Sequence, residues 1–132
     1  MKYITLNDGI KVPAMGLGTY KIEDEKTMDE VINAALDFGY EYIDTAKFYN
    51  NEEFIGKALK NSSKKRSEYM LATKVWPSDF GADKTKRSIE QSLKKLDTDY
   101  IDVIHLHWFG EDFDKSWKVF MDYKDQGIVK SI

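Results

Sequence analysis

The sequence predicts an α/β fold of parallel βαβ units, and three patterns carry that expectation. Short apolar runs alternate with segments whose apolar residues recur at helical spacing, with a repeat of about 30 residues. A hairpin pattern stands before the first repeat. Four chemically distinct polar groups follow the apolar runs: Asp44 after Tyr42-Ile43, Tyr49 five residues on, Lys74 after Met70-Leu71-Ala72, and His107 after Val103-Ile104. Parallel strands in one sheet would bring all four to a single rim.

Tyr3-Ile4-Thr5-Leu6 and Ile10-Lys11-Val12 flank Asn7-Asp8-Gly9, and apolar runs on either side of an Asp-Gly turn predict a β-hairpin. Pro13 has no N–H to donate and ends the pairing. Met15 to Tyr20 follows as a glycine-containing strand. Met28, Val31, Ile32 and Ala35 recur at i, i+3, i+4 and i+7, the period of an amphipathic helix, which Gly39 closes. Tyr40 to Ala46 is the next strand. Phe54, Ile55, Ala58 and Leu59 mark a second helix, and Tyr69 to Trp76 a strand. Ile89, Leu93 and Leu96 mark a third helix, and Tyr100 to Trp108 a strand. A fourth helix carries Phe113, Trp117, Phe120 and Met121 on one face, with Trp117 and Phe120 expected in the core. Gly127 ends it before a fifth strand at Ile128 to Ile132. No linker or low-complexity tract divides residues 1–132, which read as one domain.

Composition removes several classes of function. The 132 residues are 42% hydrophobic and 33% charged, an ordinary globular balance. Net charge is −3 with the lysines dispersed among acids, so the concentrated basic footprint of a nucleic-acid binder is absent. There is no cysteine, hence no disulfide framework and no thiolate metal site, and two histidines make a poor metal centre. No run approaches the ~18 apolar residues of a membrane span, and no leader-like apolar core opens the chain. The expected location is the cytoplasm, with no membrane partner.

Two architectures fit the alternation: an open doubly wound sheet, as in a flavodoxin-like ligand-binding domain, or part of a (β/α)₈ barrel. A dinucleotide fingerprint would need a third glycine after Gly16-Leu17-Gly18, where Ile22 stands instead. The opening hairpin favours the barrel, whose lower end it can plug.

Four motifs then carry a family resemblance. Asp44-Thr45-Ala46-Lys47-Phe48-Tyr49-Asn50-Asn51-Glu52 followed by Gly56 resembles the Asp-Thr-Ala-x-x-Tyr-x-Asn-Glu signature of the aldo-keto reductases. Gly16-Leu17-Gly18-Thr19, Thr73-Lys74-Val75-Trp76, and Leu96-x-x-x-Tyr100-x-Asp102 ending in His107-Trp108 fall in that family's order and spacing. The resemblance implies a TIM barrel that uses NADPH, or alternatively NADH, and no metal, to interconvert carbonyls and alcohols. Asp44, Tyr49, Lys74 and His107 fall on the family's catalytic tetrad. It also implies cofactor contacts at Gly18, Thr19 and Asp44, and substrate contacts at Tyr20, Trp76, His107 and Trp108. Phe109 departs from the proline common after His-Trp and alters the rigidity expected of that loop. A whole barrel takes about 250 residues, so the chain is expected to be an N-terminal half of one: about four βα units and a fifth strand, preceded by a hairpin.

The chemistry of the four groups supports those roles. Hydride delivery to a carbonyl carbon leaves charge on oxygen, which a positioned acid must neutralise. A phenol serves only if a neighbouring cation stabilises its phenolate, and Lys74 is that cation. A partly buried ammonium needs a counter-ion, which gives Asp44 its task. His107 can donate to the carbonyl oxygen. Taken singly, each has a plain structural reading: Asp44 as a loop cap, Tyr49 as a half-buried aromatic, Lys74 as a strand-end charge. Gly18 and Thr19 likewise fit a tight turn, and His105 reads as a barrel-interior residue. Together, in order and within four motifs, they favour the site. The phosphate-binding loops of such barrels follow strands beyond the fifth, so two functional outcomes remain open: a carbonyl reductase acting on a small carbonyl substrate, and a catalytically silent half-barrel that self-associates through its open edges.

Overall fold

The computed structural model describes residues 2–132. β1 (Tyr3–Thr5) and β2 (Lys11–Pro13) form the hairpin, antiparallel with Ile4 opposite Val12. The chain continues through β3 (Leu17–Gly18), α1 (Glu25–Asp37), β4 (Tyr42–Asp44), α2 (Glu52–Asn61), β5 (Met70–Val75), α3 (Ala82–Leu96), β6 (Ile101–Leu106), α4 (Phe113–Asp125) and β7 (Val129–Ser131). Strands β3 to β7 make one parallel sheet in sequential order. Right-handed crossovers in unbroken order place every helix on the same face, which is the wall of a barrel. A doubly wound sheet would reverse its strand order at a switch point.

Helix α1 begins where Asp24 accepts a hydrogen bond from the Thr27 amide at 2.8 Å, and it buries Met28, Ile32, Ala35 and Leu36. Gly39 and Gly127, at φ +85° and +75°, take the left-handed conformation just past α1 and α4, as their positions predicted. The helix face of the sheet holds two buried clusters. One joins α1 and α2 to β4 and β5 through Ile32, Ile43, Ile55 and Leu71; the other joins α3 and α4 to β6 and β7 through Ile89, Ile104, Phe120 and Val129. On the opposite face Val12 of the hairpin packs on Ala72 and Val103, with Leu6, Ile10, Tyr42 and Met70 around them. The hairpin therefore plugs the lower end of the barrel wall.

Two expectations are corrected. The strand expected over Met15 to Tyr20 shortens to Leu17–Gly18: the Thr19 amide makes the last bond to β4, on the Asp44 carbonyl, and the chain then turns, with Lys21 at φ +65° and the Ile22 amide bonded back to the Thr19 carbonyl. Along α4, Phe120 is fully buried but Trp117 is 41% exposed, so Trp117 is not core. Phe113, Trp117 and Met121 recur every four residues on a flank of α4 that the sheet does not cover, while Ser116 and Phe120 face inward.

The hairpin turn is fastened at long range. The Asp8 carboxylate accepts hydrogen bonds from Lys124 Nζ at 2.5 Å and Ser131 Oγ at 2.8 Å. The turn backbone is open to solvent, yet the carboxyl side chain is only 15% exposed. These donors lower its pKa to about 2. Because the folded value lies below the unfolded one, the stabilisation is complete above pH ~4 and is lost as pH falls toward 2. Asp8→Ala is expected to lower stability by about 1 kcal/mol at pH 6, allowing for solvent screening. The difference should vanish in urea denaturation repeated near pH 2.

Candidate active site

At the carboxyl edge of the sheet the four predicted groups converge. Lys74, near the end of β5, places its Nζ 2.6 Å from Asp44 Oδ2 and 2.8 Å from the Thr45 carbonyl oxygen. The same nitrogen lies 5.1 Å from the centre of the Tyr49 ring. Tyr49 does not sit on a strand: it ends a 3₁₀ turn, Lys47–Tyr49, that follows β4. The His107 ring meets the Tyr49 ring edge-on at 5.6 Å between centroids, and the His107 amide donates to the Val75 carbonyl, which fixes the residue beyond the end of β6. Carboxylate, ammonium, phenol and imidazole thus share one rim.

The backbone beneath them is tied by buried hydrogen bonds. The Thr19 amide and hydroxyl both donate to the Asp44 carbonyl, at 3.1 and 3.0 Å. The Asn51 side chain accepts from the Thr45 hydroxyl at 3.0 Å and donates to the Thr19 and Ile22 carbonyls at 2.8 and 3.1 Å. Asn51 is 2% exposed, so these bonds hold the loops after β3 and β4 in one fixed arrangement. Glu52, 1% exposed, accepts from Thr73 Oγ1 at 2.6 Å and Ser92 Oγ at 3.1 Å, joining α2 to the residue before Lys74. Neither Asn51 nor Glu52 was singled out from sequence, although both lie inside the signature. Their signal was a polar pair immediately preceding an apolar helical pattern, where buried partners are needed.

Burial raises the Glu52 pKa, partly offset by the hydrogen bonds from Thr73 and Ser92. A raised folded value means that the protonated carboxyl is favoured on folding, so its contribution is present below the ordinary carboxylate pKa and is lost as pH rises through the folded value. Glu52→Gln, which keeps the Thr73 acceptor and cannot ionise, should therefore gain stability relative to the parent as pH rises from about 4.5. Paired urea melts across that range measure the difference.

Around His107 the rim is aromatic. Phe48 stacks on Trp76 at 4.0 Å and 17°, Trp76 meets His107 edge-on at 4.9 Å, and Tyr20 leans on Tyr49 at 4.9 Å. Tyr20 and Trp76, expected at the substrate, lie beside Tyr49 and His107, and Phe48 joins them unpredicted. Trp108, 71% exposed, stands outside these ring contacts, as does Phe109, which packs against Phe113 instead. Gly18 is exposed at the rim, whereas the Thr19 hydroxyl is wholly engaged with the backbone.

Partial desolvation and the Lys74 charge both lower the His107 pKa, with His105 adding to the effect and Asp44 opposing it. Its Nδ1 is buried without a hydrogen-bond partner among the described residues, an arrangement that favours the neutral tautomer protonated on Nε2. His105, opposite Lys74 in the ladder, has a lowered pKa from desolvation and from Lys74, although its side chain keeps solvent access on the unfilled barrel side. Tyr42, below Asp44, is driven to about 12 by burial and then by the Asp44 charge. Of these two tyrosines, Tyr49 is the one beside a cation. At the opposite end of the sheet, Arg66 is engaged by Thr98, Tyr69, Tyr100 and Asp102, a structural cluster.

Comparison with known proteins agrees with this geometry. The aldo/keto reductase family model matches residues 14–132. A methylglyoxal reductase of Escherichia coli K12 is 40% identical over 132 residues, covering 98% of this chain and 47% of that protein. The crystal structure of an aldo/keto reductase from Brucella melitensis superposes with a TM-score of 0.92 at 39% identity, covering 98% of this chain and 50% of that one. A Bombyx mori aldo-keto reductase solved in complex with NADP superposes with a TM-score of 0.87 at 28% identity, covering 98% of this chain and 48% of that one. The chain spans about half the length of the curated relatives it matches. No helix among the described residues is long and apolar enough to cross a membrane.

Proposed function

The chain belongs to the aldo/keto reductase family, and from that premise we propose that it carries the proton-transfer half of an NAD(P)H-dependent reductase of small aldehydes and ketones. The observation that carries this reading is the Asp44–Lys74 pair beneath the Tyr49 ring, with the His107 imidazole edge-on across from it. Tyr49 donates its proton to the carbonyl oxygen as negative charge develops there. The Lys74 ammonium stabilises the charge left on the phenol oxygen. Asp44 and the Thr45 carbonyl hold that ammonium in place. His107 Nε2–H donates to the same substrate oxygen and fixes its approach. Phe48, Trp76 and Tyr20 keep water from the reacting oxygen and give the substrate an apolar wall.

The residues present fit the nicotinamide end of the cofactor. Asp44 bonds Lys74 through Oδ2, leaving Oδ1 at the rim, and Gly18 lies at the open edge of the sheet with free space where a side chain would stand. Gly18, Thr19 and Asp44 would border the ring, with Thr19 acting through its hold on the Asp44 carbonyl. When bound, the cofactor supplies a hydride to the carbonyl carbon. Grafting this chain in place of the matching half of the Escherichia coli relative tests the reading. Methylglyoxal-dependent oxidation of NADPH by the folded graft is the expected result, and a folded graft that binds NADPH but reduces neither that substrate nor other small aldehydes overturns it.

As an isolated 132-residue polypeptide the chain is proposed to self-associate and to hold NADPH only weakly. The backbone edges of β3 and β7 are each paired on one side alone, and the flank of α4 exposes Phe113, Trp117 and Met121. Two copies related by a two-fold axis can cover these surfaces mutually. Sedimentation velocity should show dimers or larger species, and a monodisperse monomer contradicts the proposal. Fluorescence titration should give millimolar NADPH binding or none.

A further inference from the structure

We propose that Lys47 and Asp79 form a latch that positions Tyr49, by clamping the turn after β4 onto the turn after β5. Lys47 Nζ lies 2.8 Å from Asp79 Oδ2, with the two side chains only 24% and 25% exposed. Such a half-buried pair is less screened and better ordered than a surface ion pair. Lys47 opens the three-residue 3₁₀ turn that Tyr49 closes, and Phe48 lies between them. The turn is internally tied, with the Tyr49 amide donating to Ala46 at 3.0 Å and the Asn50 amide donating to Lys47 at 3.1 Å. A force on Lys47 is therefore passed to Tyr49 through one rigid turn.

The other jaw is equally fixed. Asp79 ends the 3₁₀ turn Pro77–Asp79, which follows Trp76 directly. Its carboxylate also accepts from Ser88 Oγ at 3.2 Å, its carbonyl accepts from Thr85 Oγ1 at 2.9 Å, and the Thr85 hydroxyl oxygen in turn accepts from Ser116 Oγ at 2.9 Å. Asp79 is thereby anchored to α3 and, through Ser116, to α4. Between the jaws Phe48 stacks on Trp76, and both rings touch His107. The ion pair and the ring stack are two attachment points between the same two turns. Losing the first leaves the second to slide, which moves the phenol relative to Lys74 and the imidazole. Lys47 and Asp79 touch none of the reacting groups, so they are positioning residues. The proposal rests on the reading of Tyr49 as proton donor, but its test does not.

The chain labelled with 5-fluorotryptophan gives resonances for Trp76, Trp108 and Trp117, each assignable by a Trp→Phe variant. The Trp76 signal reports the Phe48 stack. Its pH titration reports the His107 ring beside it, on which Lys74, Asp44 and His105 also act. In Lys47→Met and in Asp79→Asn the Trp76 resonance should shift and gain solvent sensitivity. The titration seen at Trp76 should rise by about half a pH unit or more as the imidazole regains water. The Trp117 resonance and the urea midpoint of Lys47→Met should stay near those of the parent, which a merely structural role would not allow together with the first change. Lys47→Arg should restore the parent spectrum, and the double variant should match either single one. A Trp76 resonance and titration in Lys47→Met that coincide with the parent overturn the latch. Because this readout needs no turnover, a latch without carbonyl reduction would refute the proposed function alone, and carbonyl reduction without a latch would refute the latch alone.

Discussion

Tyr49→Phe in the grafted barrel is expected to lower the rate of carbonyl reduction by about 10²- to 10⁴-fold, the range contributed by a positioned general acid. The substitution removes one oxygen and little else. The ring keeps its contacts with Tyr20 at 4.9 Å and His107 at 5.6 Å, and the Asp44–Lys74 pair does not depend on the phenol. NADPH affinity, followed by fluorescence titration, should therefore stay within a few-fold of the parent. Tyr42→Phe serves as the comparison, because Tyr42 lies lower on β4 beside the hairpin, with its proton held to about pH 12 by burial and the Asp44 charge. Turnover in Tyr49→Phe within ten-fold of the parent would remove Tyr49 from the acid role.

Gly56→Ala should produce the largest stability change. Gly56 lies in α2 where that helix crosses the end of α3, and a Cβ there would come 2.3 Å from the Lys95 carbonyl oxygen and 2.9 Å from the Leu96 carbonyl carbon. Helix propensity alone predicts a gain of about 1 kcal/mol. The neighbouring atoms are backbone and cannot rotate aside, so the helices must separate, at a cost of about 3 kcal/mol or more. Steric overlap wins, and the net change should be a loss of roughly 2 kcal/mol or more in urea denaturation. A variant as stable as the parent would show that the α2–α3 crossing is looser than described.

Much of this was legible in the sequence because the periodicities were strong. Met28, Ile32 and Ala35 announced α1, and Gly39 and Gly127 marked helix ends that the backbone confirms at positive φ. Asp44, Lys74 and His107 were legible as a group because each lies at or just past an apolar run and parallel strands deliver such residues to one edge, whereas Tyr49, on a turn, was legible only through its motif. The short β3 was not legible, since it ends in a turn that places Lys21, a non-glycine residue, at φ +65° and is held by Asn51 about 30 positions downstream. Periodicity also misjudged Trp117. A helix shows an apolar stripe whether that stripe meets the sheet or lies beside it, and only the packing of Ser116 and Phe120 inward decides the rotation. Lys47 and Asp79 were missed because a charged residue in a loop carries no mark of its partner, and the polar pair Asn51-Glu52 at the start of α2 signals burial without naming its partners. Their meaning arises from pairings that cross from one βα unit to the next.

The fastening of Asp8 to Lys124 and Ser131 also bears on the order in which the molecule matures on the ribosome. The hairpin emerges well before its anchors, since the residues that pin its tip are 116 and 123 positions downstream. At ordinary elongation speeds of about 5–20 residues per second, the tip waits roughly 6–25 seconds for its anchor. Until then the hairpin rests on the sheet only through Val12, Leu6 and Ile10, against a floor that fills in as Met70, Ala72 and Val103 are added.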